Sequence, residues 1–157
     1  MPVAELCLVI PHAREFTRSA KGRALAAGRV ALHPVFGHGM DSAHQHWREW
    51  GFPGDDMLHA HSTPVQLAFD RGLPALLFWL WLMWVFWREA ARAERAWRDS
   101  DDWAAHGLAL GVGGALAGFL ASSVVNYNFG DAEVALLVWW MMGAAVMLRS
   151  YLPSWRA

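Results

Sequence analysis

Cysteine is almost missing from this chain. Cys7 stands alone, so no disulfide can form within it, and redox compartment stays open. Charge is missing from two long stretches, Leu73–Trp87 and Gly107–Val125. The formal net charge is −1, which gives a nucleic-acid partner no electrostatic support. Several catalytic signatures are also missing. There is no Gly-x-Ser-x-Gly nucleophile elbow, and neither a Walker A loop nor a Rossmann glycine pattern. The region after Met1 lacks both a basic n-region and a long apolar h-region, so no signal peptide is expected.

The residues that are present are unevenly spread. Of 157 residues, 11 are tryptophan and 55% are apolar, and since average composition is already near half apolar only the distribution of the apolar residues informs. The first 72 residues are polar, His-rich and loop-rich, and most of the remaining chain reads as membrane. Between the two lies Ala60-His61-Ser62-Thr63-Pro64-Val65-Gln66, running through Asp70-Arg71-Gly72 into the apolar wall. Thr63 reads as an N-cap, Pro64 as the first helical residue and Gln66 as the closing partner of a capping box. His61 then falls just outside a helix N-terminus, where unpaired N–H groups and the macrodipole favour anions. A histidine there, at a membrane surface, is a sensible general base, although an interfacial, helix-capping histidine explains it equally simply.

Upstream, Ala4–Ile10 is an apolar run ended by Pro11, too short to span a bilayer. It is expected to be the tail of a longer segment, or a buried strand or helical turn. Thr17–His33 reads as a helix stopped by Pro34. On a helical wheel Arg14, Arg18, Lys21 and Arg29 share one face, and Phe16, Ala20, Ala24, Ala27, Val30 and Ala31 share the other. Arg23 falls in the middle of the apolar face and needs a partner, either an ion pair or a phosphate. Pro34–Met40 is a glycine-punctuated loop. Asp41 is expected to cap a short helix, Ser42–Trp50, closed by Gly51.

Three spans are expected: Gln66–Trp87, Trp103–Val125 and Ala132–Leu148. The first, counted with its interfacial turn, measures about 33 Å. Gly107, Gly111, Gly114 and Gly118 recur along the second and let neighbouring helices approach closely. Arg88, Arg92, Arg95 and Arg98 come after the first span, while Asn126–Asp131 holds no basic residue. The positive-inside rule therefore places the Arg loop and the C-terminus in the cytoplasm, and His61 outside, in the periplasm of a Gram-negative cell. The expected class is an all-α integral membrane protein. Residues 1–65 form a periplasmic loop region with short helices, residues 66–150 the transmembrane helices of a larger bundle, and residues 151–157 a cytoplasmic tail.

His44-x-His46 and His59-x-His61 have the spacing of ligand pairs, with Asp41, Asp55 or His38 as further donors, but no established metal motif is matched. Asn126–Asp131 reads as a tight external turn, with lining a cavity near His61 as the alternative.

Pro34-x-x-Gly37-x-Gly39, then His61-Ser62, nine residues and Gly72 before a hydrophobic helix, resembles the O-antigen ligase and polymerase family of bacterial membrane glycosyltransferases. Ser62 stands where that family more often has Asn, and Ala75 where it often has a second small residue. Asn126–Asp131 and the next span also look like the family's C-terminal end. Members have about a dozen spans, so the chain resembles their C-terminal third. The resemblance implies transfer of a glycan from an undecaprenyl-diphosphate carrier to an acceptor sugar hydroxyl: lipid A-core for a ligase, another repeat unit for a polymerase. It implies His61 as the group that deprotonates or positions that hydroxyl, with Ser62, Gln66 and Gly72 supporting it. Arg23, with Arg18 as fallback, would hold the diphosphate. No metal, cofactor or nucleic acid is implied; the partners are the lipid-linked donor, the acceptor and the lipids of the inner membrane. Two other classes stay open: a transporter or scaffold fragment, and a truncated, inactive product.

Overall fold

A computed structural model describes residues 11–53 and 59–151, with the backbone alone for residues 11–19. The described residues are helical and contain no strand. In chain order they form α1 (Pro11–Val30), α2 (Ser42–Gln45), α3 (Thr63–Trp97), α4 (Trp103–Val125) and α5 (Ala132–Ser150), with a 3-10 turn at Asn128–Gly130 before α5. Helices α3, α4 and α5 are each long and apolar enough to cross a membrane. Two compact units result: Met1–Leu76 with Val124–Tyr127, and Leu77–Ser123 with Asn128–Ala157.

The first unit is built on a small aromatic core. Ala26 of α1, Ala43, Trp47, Phe52, Ala60 and Phe69 are buried together, with Leu25, Val30, Trp50 and Val65 packed against them. Trp47 stacks on Phe52 at 4.4 Å, and Arg29 lays its guanidinium 4.5 Å over Trp50. That contact sets the roll of α1. Its packed face holds Gly22 and Ala26, whereas Ala24, Ala27 and Ala31 are exposed. The face is thus rotated by about a third of a turn from the one the wheel selects. In an alanine-rich helix, methyl groups on every side leave the roll to be decided by the large residues outside it. Helix α1 also starts earlier and stops earlier than expected, because Pro11 suits a first helical position and His33 precedes Pro34.

Helix α2 is one turn long, not the nine residues expected. Asp41 adopts a left-handed conformation, φ 63°, and its side chain makes no capping bond. Ser42 Oγ donates instead to the Gly39 carbonyl at 2.7 Å.

Helix α3 is broken. Gly72 has φ 82° and ψ 174°, so residues 63–71 and 73–97 are two helices meeting at a kink. Pro74 explains the position: it has no N–H to donate, its ring excludes the carbonyl one turn back, and it suits the opening of a new helix. The backbone groups freed at the break are taken up by the Pro34–Gly39 loop. His38 N–H donates to Phe69 O at 2.7 Å, Gly39 N–H to Asp70 O at 3.1 Å, and Leu73 N–H to Pro34 O at 2.7 Å.

The second unit holds residues 77–97 of α3, residues 103–123 of α4, and α5. Asp102 caps α4, its Oδ1 accepting the Ala104 and Ala105 N–H groups. At one end Trp79, Phe119, Phe129 and Trp139 form a chain of ring contacts. At the other, Ala93, Trp97, Ala109 and Leu148 are buried together. Trp97 Nε1 donates to the Leu148 carbonyl at 2.8 Å, and Glu89 pairs with Arg92 and Arg149. A cleft of about 200 Å³ is lined by Trp87, Ala90, Glu94, Ala109 and Gly113 among others, and holds none of the candidate site residues.

Candidate functional site

The two halves of the sequence pattern meet at one place. The Pro34–Gly39 loop lies backbone against backbone on the kink, and both glycines are required there. A Cβ on Gly37 would stand 2.4 Å from the Asp70 carbonyl carbon, and a Cβ on Gly72 2.2 Å from Val35 O. Both residues also have positive φ, 70° and 82°, where a side chain is strained. The nine residues between Ser62 and Gly72 are therefore the length of the short helix 63–71, which separates His61 from the kink.

Residues 59–63 are held by side chains from that helix and by the α4–α5 turn. The Ala60 N–H donates to Gln66 Oε1 at 2.7 Å. Gln66 Nε2 in turn lies 2.9 Å from both carboxylate oxygens of Asp70. The amide orientation is set by chemistry, since only the oxygen can accept from Ala60 and only the nitrogen can donate to a carboxylate. Thr63 is fully buried, and its N–H and its hydroxyl both donate to Asn126 O at 3.1 Å.

This arrangement replaces the expected capping box. The first helical bond runs from Gln66 N–H to Ser62 O at 2.8 Å, so Ser62, not Thr63, stands at the N-cap. Gln66 reaches past the helix start to Ala60 rather than back to Thr63. The reason is that Asn126 already occupies Thr63, which no local pattern can foretell.

His61 sits between these two ties, immediately before Ser62, in the left-handed region with φ 47°. A non-glycine residue there is strained, and such strain is held only where surrounding bonds fix it. The His61 ring is half-buried, and the neighbour it touches is an imidazole, His59, at 4.7 Å. Tyr127 lies 5.5 Å from His59 and extends the chain of rings. Asn126 and Tyr127 of the turn between α4 and α5 thus touch this segment, through the Thr63 bonds and the His59 ring.

Ser62, Gln66 and Gly72 are buried at the site. Arg23 is half-buried, one turn before the core residue Ala26, while the side chain of Arg18 lies outside the described residues. His38 belongs to the loop, donating from Nε2 to Arg29 O at 3.0 Å and stacking on Phe69 at 4.6 Å. His44 is exposed, and His46 stacks on Trp50 at 4.6 Å. Asp55 lies outside the described residues. Among the described residues no group of three or more His, Cys, Asp or Glu side chains is placed to hold a metal ion.

Comparison with protein families, with curated proteins and with solved structures finds no match to this chain.

Proposed function

We propose that this chain is part of a membrane glycosyltransferase of the O-antigen ligase type, transferring a glycan from undecaprenyl diphosphate to a sugar hydroxyl of lipid A-core. The observation that carries the reading is the interlock of Gly37 with Gly72. The two sequence stretches that resemble the family are far apart in the chain, yet each glycine packs on the backbone of the other stretch. That packing joins the loop stretch to the stretch that leads on from His61, which supports reading the two as one site.

In this mechanism the His61 imidazole takes the proton of the acceptor hydroxyl as the oxygen attacks the anomeric carbon. The bond from that carbon to the carrier phosphate breaks, and its electron pair leaves with undecaprenyl diphosphate. Arginine charge offsets the charge that develops on the leaving group. Arg23 is assigned that role, with Arg18 next in order. Arginine density after the first span supports a periplasmic position for His61, where lipid-linked donor and lipid-anchored acceptor would share a surface.

The test is complementation in cells lacking their own ligase, with the complete gene, scored by long-chain polysaccharide on surface lipid A-core. His61→Ala is expected to abolish it at wild-type protein levels. Long-chain polysaccharide at the wild-type level would refute the reading and favour a transporter or scaffold role. Glycan chains that fail to lengthen on the carrier itself, with transfer to lipid A-core intact, would assign polymerisation instead.

A further inference from the structure

Helices α3 and α4 pass each other in the second unit with little side chain between them along one stretch. The cleft of about 200 Å³ found there has Ala90, Ala91, Ala109 and Gly113 among its lining residues. A Cβ on Gly113 or Gly114 would meet nothing within 4 Å, so the backbone of α4 leaves this space open. Trp87 and Gly114 are exposed, and the cleft therefore opens on the outer surface of the helix pair. From Trp87 to Glu94 it follows about 10 Å of helix.

One end of the cleft is charged. Glu94 stands in the last turn of α3 and His106 in the first turn of α4, and their side chains approach to 3.9 Å. That rim lies at the helix ends, where a span meets lipid headgroups. Arg98 donates from Nε to Glu94 Oε1 at 2.9 Å and from Nη2 to Oε2 at 2.8 Å. A carboxylate can accept about four hydrogen bonds, and a guanidinium has further N–H donors beyond these two. Both groups keep spare capacity, and the Arg98 side chain is 60% exposed.

Helices α3 and α4 are both long and apolar enough to cross a membrane. In a bilayer the mouth of the cleft faces hydrocarbon, and its apolar walls offer water few partners. A helix as long as the cleft is about 10 Å across and needs several times its volume. A single acyl chain is thin enough to enter. The rim carries both signs of charge and so matches a zwitterionic headgroup: an ammonium donates to Glu94, and a phosphate accepts from Arg98. We propose that this cleft is a phospholipid site, taking one acyl chain of an aminophospholipid whose ammonium and phosphate pair with Glu94 and Arg98. The site needs α3 and α4 in lipid and is independent of glycosyl transfer.

The test is native mass spectrometry of the full chain in detergent, offered equal amounts of phosphatidylethanolamine, phosphatidylcholine and phosphatidylglycerol. The second lipid has a quaternary ammonium without N–H donors, and the third has no cation. The wild type is expected to retain phosphatidylethanolamine about fivefold over either, the upper range for a partly exposed ion pair. Glu94→Gln should still hold lipid but lose that preference. Gly113→Leu fills the cleft and should lower retention of all three lipids about tenfold, the worth of about two buried methylene groups. Gly111→Leu, on the same helix but outside the cleft, should retain lipid as the wild type does.

A wild type that holds no lipid overturns the proposal, as does one that retains either other headgroup as well as phosphatidylethanolamine. Equal lipid loss in Gly111→Leu and Gly113→Leu also overturns it. Should Gly113→Leu lose helix by circular dichroism, the headgroup preference of the wild type and Glu94→Gln decides the matter.

Discussion

The two units use the same residue types to opposite ends. In the first, Gly37 and Gly72 are points of backbone contact and leave no room for a methyl group. In the second, Gly107, Gly111, Gly113, Gly114, Gly118 and Gly143 have nothing within 4 Å of where a Cβ would stand. Polar side chains divide the same way. Ser42, Ser62, Thr63, Gln66 and Asp70 are buried in the first unit, against Ser123 and Asn128 in the second. The second instead exposes Trp81, Trp84, Trp87, Leu136 and Trp140, as expected where lipid is the solvent. A fold that holds one strained residue in place needs backbone and polar ties; helices long and apolar enough to cross a membrane need internal helical bonds and apolar surface.

The sharpest way to break this contrast is to place the same methyl group in both units. Gly72→Ala meets Val35 O and a positive φ at once. Its cost is roughly 3 kcal/mol or more, from left-handed strain plus backbone overlap. Gly37→Ala is expected to behave alike. Gly111→Ala meets nothing and stands mid-helix, so it should be neutral or stabilise by up to about 1 kcal/mol. Thermal unfolding in detergent, with limited proteolysis, compares the three. Equal melting temperatures for Gly72→Ala and Gly111→Ala would end the distinction.

Next in size is the polar chain of the first unit. Gln66→Ala leaves the buried Ala60 N–H without its acceptor and removes both contacts to Asp70. An unsatisfied buried donor costs about 1–3 kcal/mol, and the loss of the Gln66 bond to the buried Asp70 carboxylate adds to it. Hydrogen exchange should quicken most at residues 59–62. If exchange there is unchanged while the protein melts lower overall, Gln66 is a core residue and not a tie for the His61 segment.

How far the sequence discloses this molecule depends on the same division. The spans of the second unit are legible almost to the residue: Trp103–Val125 is α4, and Ala132–Leu148 lies within α5. Their signal is local, a long apolar run between charged turns. In the first unit the local signs are present but their partners are not. Pro74 and Gly72 announce a break, and Gly37 and Gly39 announce a loop, yet nothing in either stretch says that each repairs the other. Thr63 looks like an N-cap because the rule considers only its own helix, whereas Asn126 takes its hydroxyl. Asp41 looks like a cap until its left-handed backbone turns the side chain away. The contact of Tyr127 with His59 is of the same non-local kind, and the sequence alone brings Asn126–Asp131 near His61 only as the alternative to a tight turn.

The smallest predicted effect lies in the second unit and asks whether any polar tie matters there. Leu148 stands in the last turn of α5, where helical carbonyls have no intrahelical donor. Trp97 supplies one through Nε1, and both residues are buried. Trp97→Phe keeps most of the apolar bulk and removes only that donor. The expected loss is about 1 kcal/mol, the net worth of one buried hydrogen bond, with the shift concentrated in exchange rates at the end of α5. A loss as large as that of Gln66→Ala would show that the spans, too, depend on single polar contacts. A loss of zero would mean that apolar packing of Ala93, Ala109 and Leu148 suffices to seat α5.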